Sequence, residues 1–218
     1  LVKLAELQGV KFNYKAKVKS LLINNSVVEG VKVNGQDFFA DFVVNSTDVN
    51  NFYKFILKDH ALLKQTLQHE KSSSAIIFYW GINHAFENVH LHNILFAENY
   101  QEEFEYLFDK KMIYHDPTVY IFVSAKQVAT DAPQGKENWF VMINAPENVG
   151  QNWESCLQEA RKNMVQKINR MLKTDIEQYI EFEHVASPVT IENTTASYHG
   201  SLYGNSSNDM FAAFNRHA

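Results

Sequence analysis

The sequence predicts an α+β fold. Three observations carry that prediction. Strand-like runs and amphipathic helical runs both occur, but they do not alternate strictly as a parallel sheet requires. Asn34-Gly35 sits between two apolar-rich runs, the strongest short-range hairpin signal. The 218 residues are 45% hydrophobic and 13% aromatic, enough to bury a substantial core.

Leu1 to Leu7 places apolar residues at 1, 4, 5 and 7, a short helical stripe, and Gly9 suits a helix C-terminal cap. Val10 to Tyr14 reads as a strand, and Val18 to Ile23 as another, with Asn24-Asn25-Ser26 as the turn. Val27 to Val33 alternates, with Val27, Glu29, Val31 and Val33 on one face. Phe38 to Val44 is a further strand, ended by Asn45-Ser46-Thr47-Asp48. From Val49 the texture changes. Asn51 to Leu67 is amphipathic and helical, with apolar residues at 52, 55, 56, 62, 63 and 67.

Ala75 to Trp80 is a nearly continuous apolar run bounded by Gly81, as suits a strand buried on both faces. Leu91 to Ala97, Val119 to Ala125 and Trp139 to Ala145 read as strands, and Phe104 to Met112 as a short helix. Trp153 to Leu172 is the longest helix, with Trp153, Leu157, Ala160, Met164 and Ile168 in its stripe. Tyr179 to Ala186 is the last strand, and Ser187-Pro188 starts a short helix. The tail from Tyr198 to Ala218 is rich in Gly, Ser, Asn and aromatics. The texture change divides the chain into residues 1–48, too few to bury a core alone, and residues 49–218. The chain opens at Leu1 and stops at Ala218 beside an aromatic-rich stretch, which reads as an internal piece of a longer protein.

Composition narrows the function classes. A net charge of -5 lacks the basic surplus of a duplex nucleic-acid binder. The single cysteine, Cys156, excludes an internal disulfide framework and a Cys-rich zinc site. No apolar run approaches the ~18 residues that span a bilayer, whereas contact with a membrane surface needs only a patch.

The chemistry-bearing residues each have two readings. His90 and His92, with His84 nearby, are either metal ligands or a polar strand rim. Cys156, near the start of the long helix, is either a nucleophile or a packing residue. Glu102, Glu103 and Glu105, and Glu181 with Glu183, are acid–base candidates or solvated acidic faces. No glycine-rich phosphate loop and no nucleophile elbow is present. Phe78, Tyr79, Trp80, Phe96, Tyr120, Phe122, Trp139 and Phe140 lie on four expected strands. They form either a core under helices or the wall of a long apolar tunnel.

A family resemblance adds to this. The opening helix, Gly9-Val10, the strand at Val18, Gly30-Val31 to Gly35, and Ala40-Asp41-Phe42-Val43-Val44 to Asp48 resemble a recurring element of two-dinucleotide-domain flavoproteins. The blocks Ser72 to Gly81, Leu91 to Phe96, Asp116 to Ile121, Asp131 to Phe140 and Tyr198 to Gly204 resemble the bacterial phytoene desaturase family of carotenoid dehydrogenases. The resemblance implies a mixed-sheet substrate-binding domain with flanking helices over 49–218. It further implies that 1–48 is a β-meander piece of a Rossmann-like FAD-binding domain. FAD is the implied cofactor, with Val18, Asn45, Ser46 and Asp48 on its side. Phe78, Trp80, Asn93, Tyr203 and Gly204 fall on the substrate side.

The implied activity is desaturation of an apolar isoprenoid polyene such as phytoene. The implied setting is cytoplasmic, peripheral to a membrane, with no nucleic-acid partner. The family's N-terminal G-x-G-x-x-G is absent from this sequence, as is the glycine-rich stretch expected after Arg216-His217. This chain alone is therefore expected to be inactive, and the sequence assigns no acid, base or metal ligand. Two alternatives share the fold: a non-catalytic isoprenoid-binding module of the GDP-dissociation-inhibitor type, and a flavin oxidase or saturase acting on another apolar substrate.

Overall fold

The computed structural model describes residues 1–208; the end of the aromatic-rich tail, including Arg216-His217, lies outside the described residues. The chain divides into two compact units, Leu1–Gln68 and a second beginning at His69.

In the first unit, α1 (Val2–Leu7) precedes a three-stranded antiparallel meander of β1 (Val18–Asn24), β2 (Val27–Val33) and β3 (Gln36–Phe39), in that order. The Asn34-Gly35 turn joins β2 to β3, with positive φ at both residues, as a primed hairpin turn requires. Two expected strands differ. Val10 to Tyr14 has no partner strand among the described residues, and Phe12 stacks on Tyr14 instead, 6.0 Å between ring centroids. The strand expected to reach Val44 ends at Phe39, and residues 40–47 carry no ladder.

The helix expected over Asn51 to Leu67 is in two pieces. Asp48 caps α2 (Val49–Asn51), which runs on as a π-helical turn, Phe52–Leu57. Lys58 then takes a left-handed conformation and stops it. Asp59 starts α3 (His60–Thr66) by accepting the Ala61 and Leu62 amides at 3.0 and 2.9 Å.

The second unit is built on a five-stranded sheet. Its strands are β4 (Ser74–Ile82), β5 (His92–Leu95), β6 (Val119–Phe122), β7 (Glu137–Ala145) and β8 (Ile180–Ala186), ordered β5-β6-β7-β4-β8. The helices are α4 (Tyr100–Phe108), α5 (Trp153–Leu172) and α6 (Pro188–Thr195). The α+β class stands, but the sheet expected to be mixed is antiparallel in every pairing. The reason is topological. The α5 crossover joins β7 to β8, which run in the same direction, and β4 fills the gap between them in the opposite direction.

One sheet face is closed. Ile76, Phe78, Trp80 and Ile82 of β4 join Val119 and Ile121 of β6 and Trp139, Val141 and Ile143 of β7. These pack in one core with Ala160, Met164, Val165 and Ile168 of α5. The α5 stripe thus matches the expected spacing, with Asn152 accepting the Ser155 amide at the helix start.

Polar groups drawn into this unit are matched. Glu137 accepts the Phe86 amide and the Trp139 indole and pairs with Lys126. Glu103 accepts both the amide and the hydroxyl of Thr118. Lys167, buried on α5, donates to the Phe96, Asp116 and Pro117 carbonyls and pairs with Asp116 at 2.9 Å. Buried charges persist only with such partners.

Candidate functional site

The alternate residues of the same strands make the other sheet face, because successive side chains point to opposite sides. Ala75 to Trp80 was expected to be buried on both sides, yet Tyr79 is 40% exposed. Register sets out what lies beside it. One row crosses all five strands: His92 faces Phe122, Phe122 faces Phe140, Phe140 faces Tyr79, and Tyr79 faces His184. The next row runs Ile94, Tyr120, Met142, Ile77 and Ala186 in the same way. None of these ten side chains is fully buried. With strands ~4.8 Å apart, the face is roughly 19 Å wide.

The rings hold one another. Tyr79 meets Phe140 edge-on at 5.5 Å, Tyr120 meets Phe140 at 6.2 Å, and His92 lies against Phe122 at 5.2 Å. Such pairs stiffen a surface beyond what area alone provides. His92 Nδ1 is 2.8 Å from the Tyr120 hydroxyl. This face can receive an elongated apolar molecule and offers hydrogen bonds only near its rims.

The sequence-selected substrate residues fall in different places. Phe78 and Trp80 are each 2% exposed and lie on the core face, where the Trp80 indole donates to Glu183 at 2.7 Å. Asn93 has its amide committed to His90 and the Ile121 carbonyl. Tyr203 is 75% exposed, and its turn is tied to Ser72: the Tyr203 amide donates to Ser72 Oγ, and the Ser72 amide to the Gly204 carbonyl. The structure therefore does not bring these five residues together on one surface. The sequence left Tyr79 between core and tunnel wall, because a continuous apolar run does not reveal which alternate residues are covered.

The cofactor-side residues lie in the first unit. Val18 begins β1, an edge strand, opposite Val33. Asn45 and Ser46 are exposed, and the Asn45 side chain accepts from the amide and hydroxyl of Thr47. The Asp48 carboxylate is used in capping α2.

The remaining candidates resolve into structural roles. Burial, then the nearby Glu159 carboxylate, raises the Cys156 pKa and so disfavours the thiolate a nucleophile needs. Glu102 accepts from the Tyr114 hydroxyl, Glu181 pairs with Lys136, and Glu183 pairs with Arg161. Burial works to raise the Asp116 pKa, but the Glu98 amide and Lys167 outweigh it and hold the carboxyl below its ordinary value. Burial and the Glu102 carboxylate push Tyr114 up to about 12. His90 precedes β5, so of the two only His92 lies on the strand. His84 packs against Phe86 and Tyr179. Among the described residues, no group of three or more His, Cys, Asp or Glu is placed to hold a metal ion.

The second unit is thus an α+β domain in which one face of an antiparallel sheet is helix-covered and the other is open and aromatic. Comparison with known proteins narrows the class. The chain is 48% identical over 217 residues to 1-hydroxycarotenoid 3,4-desaturase of Flavobacterium sp. (strain P99-3), covering 100% of this chain and 44% of that protein. It is 29% identical over 208 residues to 4,4'-diaponeurosporene oxygenase of Staphylococcus aureus (strain bovine RF122 / ET3-1), covering 94% and 42%. It is 26% identical over 243 residues to phytoene desaturase of Cercospora nicotianae, covering 94% and 39%.

The homologues of this chain are thus carotenoid desaturases and oxygenases, and it spans less than half the length of these curated relatives. They are oxidoreductases by name, so a non-redox isoprenoid-binding module is not favoured. Among solved structures, an oxidoreductase from Methanosarcina mazei matches 78% of this chain and 36% of its own, with a TM-score of 0.53 and 10% identity, a likeness of fold alone. No family model matches the sequence.

Proposed function

We propose that the protein carrying this chain is an FAD-dependent oxidoreductase that desaturates a carotenoid. In this proposal the second unit is its substrate domain, and the meander of the first belongs to its FAD domain. The carrying observation is the pair of aromatic and apolar rows across the open sheet face. The similarity to carotenoid enzymes supports the same substrate class.

On this proposal the polyene lies against Phe122, Phe140, Tyr79, Met142 and Ile77. These side chains remove its apolar surface from water, at about 25 cal/mol per Å². Their mutual packing fixes the wall, so the ligand is oriented without first ordering a loose surface. Phe78, Trp80 and Trp139 act behind that wall by setting the sheet against α5.

The residues of the first unit fit an adenine dinucleotide in one respect: β1 is an edge strand, so its main chain at Val18 can present polar groups outward. Asn45 and Ser46, on an exposed turn, could meet the same ligand, while Asp48 orders the turn by capping α2. When bound, the flavin supplies the hydride acceptor. A carotenoid substrate also favours work at a membrane surface on the cytoplasmic side; among the described residues no helix is long and apolar enough to cross a membrane.

The test uses the full-length protein. Its absorbance spectrum and the mass of the released cofactor are recorded, and carotenoids are then assayed for a red-shifted, more conjugated product. Bound FAD with such a product is the expected result. No flavin after reconstitution, together with no conversion, would overturn the proposal.

A further inference from the structure

We propose that His92 and Tyr120 read a hydroxyl group near one end of the polyene; this rests on the carotenoid-desaturase function proposed above. The two residues occupy adjacent strands of the open face, β5 and β6, one in each row. Between them and the β8 side, Phe122, Phe140, Met142 and Ile77 have no strong hydrogen-bonding side chain, and at the β8 side Tyr79 and His184 lie ring against ring at 6.0 Å, whereas His92 and Tyr120 are joined by a hydrogen bond. The polar pair sits at the β5 rim, where the end of a molecule stretched across the face would fall.

Hydrogen-bond counting selects the ligand group. His92 Nδ1 and the Tyr120 hydroxyl already share one bond of 2.8 Å, and their rings stack at 6.1 Å with 18° between planes. If Tyr120 donates to Nδ1, the Tyr120 oxygen remains an acceptor and His92 Nε2–H a donor. If Nδ1–H donates to Tyr120, the Tyr120 O–H remains a donor and Nε2 an acceptor. Either tautomer leaves the pair with one donor and one acceptor to offer, on an exposed His92 and a half-buried Tyr120. A hydroxyl is both at once and satisfies both. A ketone or ether only accepts, and a hydrocarbon end does neither while displacing water from the pair. A site built to bond a hydroxyl discriminates against an analogue that lacks it because the pair's polar groups are left unmatched.

The test measures KM and Kd of the full-length protein for two polyenes that differ only in a terminal hydroxyl. The wild type is expected to prefer the hydroxylated one by ~10-fold or more. His92→Phe and Tyr120→Phe are expected to bring that ratio close to one. Tyr120→Phe removes a single oxygen from a half-buried ring, so it tests the pair even if the His92 variant does not fold. Ile77→Ala, on β4 and away from the pair, is expected to weaken both ligands together and leave the ratio in place. Absence of a preference in the wild type, or an unchanged ratio in both pair variants, would overturn the assignment while leaving the carotenoid function standing. Failure to bind or convert either polyene would instead overturn that function and this inference with it.

Discussion

Tyr79 of β4 and Phe140 of β7 are direct partners across the sheet, their rings meeting edge-on at 5.5 Å on the open face. One residue along, Trp80 and Trp139 are partners on the closed face, inside the core. The same two strands thus carry a binding surface and a structural core, separated only by the pleat. This predicts opposite phenotypes for neighbours. Tyr79→Ala or Phe140→Ala should raise KM for the polyene roughly 10- to 100-fold, the cost of one aromatic side chain's apolar contact. Trp80→Ala should cost about 3–5 kcal/mol of stability, since it empties a filled core position. Thermal melts run beside the kinetics separate the two; a loss of binding confined to Trp80→Ala with intact stability would contradict the face assignment.

How much of this was legible follows from where the information resides. The α5 stripe from Trp153 to Ile168 could be read because a helix buried on one side repeats with its own period. The Asn34-Gly35 hairpin could be read because only a few residue pairs tolerate its backbone. Which of the strand aromatics lie on the open face could not. Phe78-Tyr79-Trp80 is apolar on both sides, and only the packing of α5 decides that Phe78 and Trp80 go inward. Val10 to Tyr14 has strand chemistry without a strand to pair with, so local propensity yields to missing partners. The break at Lys58 was hidden because lysine carries no left-handed signal, although Asp59 just after it is a good helix cap.

Lys167 is a second feature that a residue-type reading passes over, since lysines are seldom buried. Its ammonium donates to the carbonyls of Phe96 and Pro117 at 3.0 and 2.7 Å and pairs with Asp116, fixing α5 to the segments that end β5 and begin β6. Lys167→Met keeps the stem but strands those acceptors. It should lower stability by roughly 3–5 kcal/mol, as expected when one partner of a buried pair is removed. Asp116→Asn should be milder, because the carbonyl partners of Lys167 remain. Denaturant titration of both variants and their double mutant measures the coupling; additive losses would show that the pair does not act as a unit.

Tyr114 predicts an alkaline limb of stability. Its hydroxyl donates to Glu102 at 2.9 Å, and burial together with that carboxylate raises its pKa from 10.0 to about 12. Between those values the unfolded chain releases the phenolic proton while the folded chain keeps it, so unfolding is favoured as pH rises. The contribution is therefore fully present below pH 10 and is lost as pH climbs towards 12. Tyr114→Phe should flatten this limb relative to the wild type, at a cost of about 1 kcal/mol near neutrality for the lost hydrogen bond. Melting temperatures from pH 8 upward provide the check, and parallel curves for the two proteins would refute it.

Gly200 and Gly204 allow backbone strain to be separated from steric overlap. Both have positive φ, +67° and +74°, so alanine is strained at either position. A Cβ at Gly204 meets nothing within 4 Å, whereas one at Gly200 would lie 2.3 Å from the Pro188 carbonyl oxygen at the start of α6. That turn is also held by Ser74 Oγ donating to the Gly200 carbonyl at 2.6 Å and by the Asn148 amide donating to His199 at 2.8 Å. Gly204→Ala should cost about 1 kcal/mol, the conformational part alone. Gly200→Ala must in addition push the turn away from α6, and should cost a further ~1–3 kcal/mol, as over-packing does elsewhere. It should also open residues 197–205 to proteolysis, because the Ser74 and Asn148 bonds lie on the segment displaced. Equal melting temperatures for the two variants would mean that Pro188 yields freely and that the turn is not braced by α6.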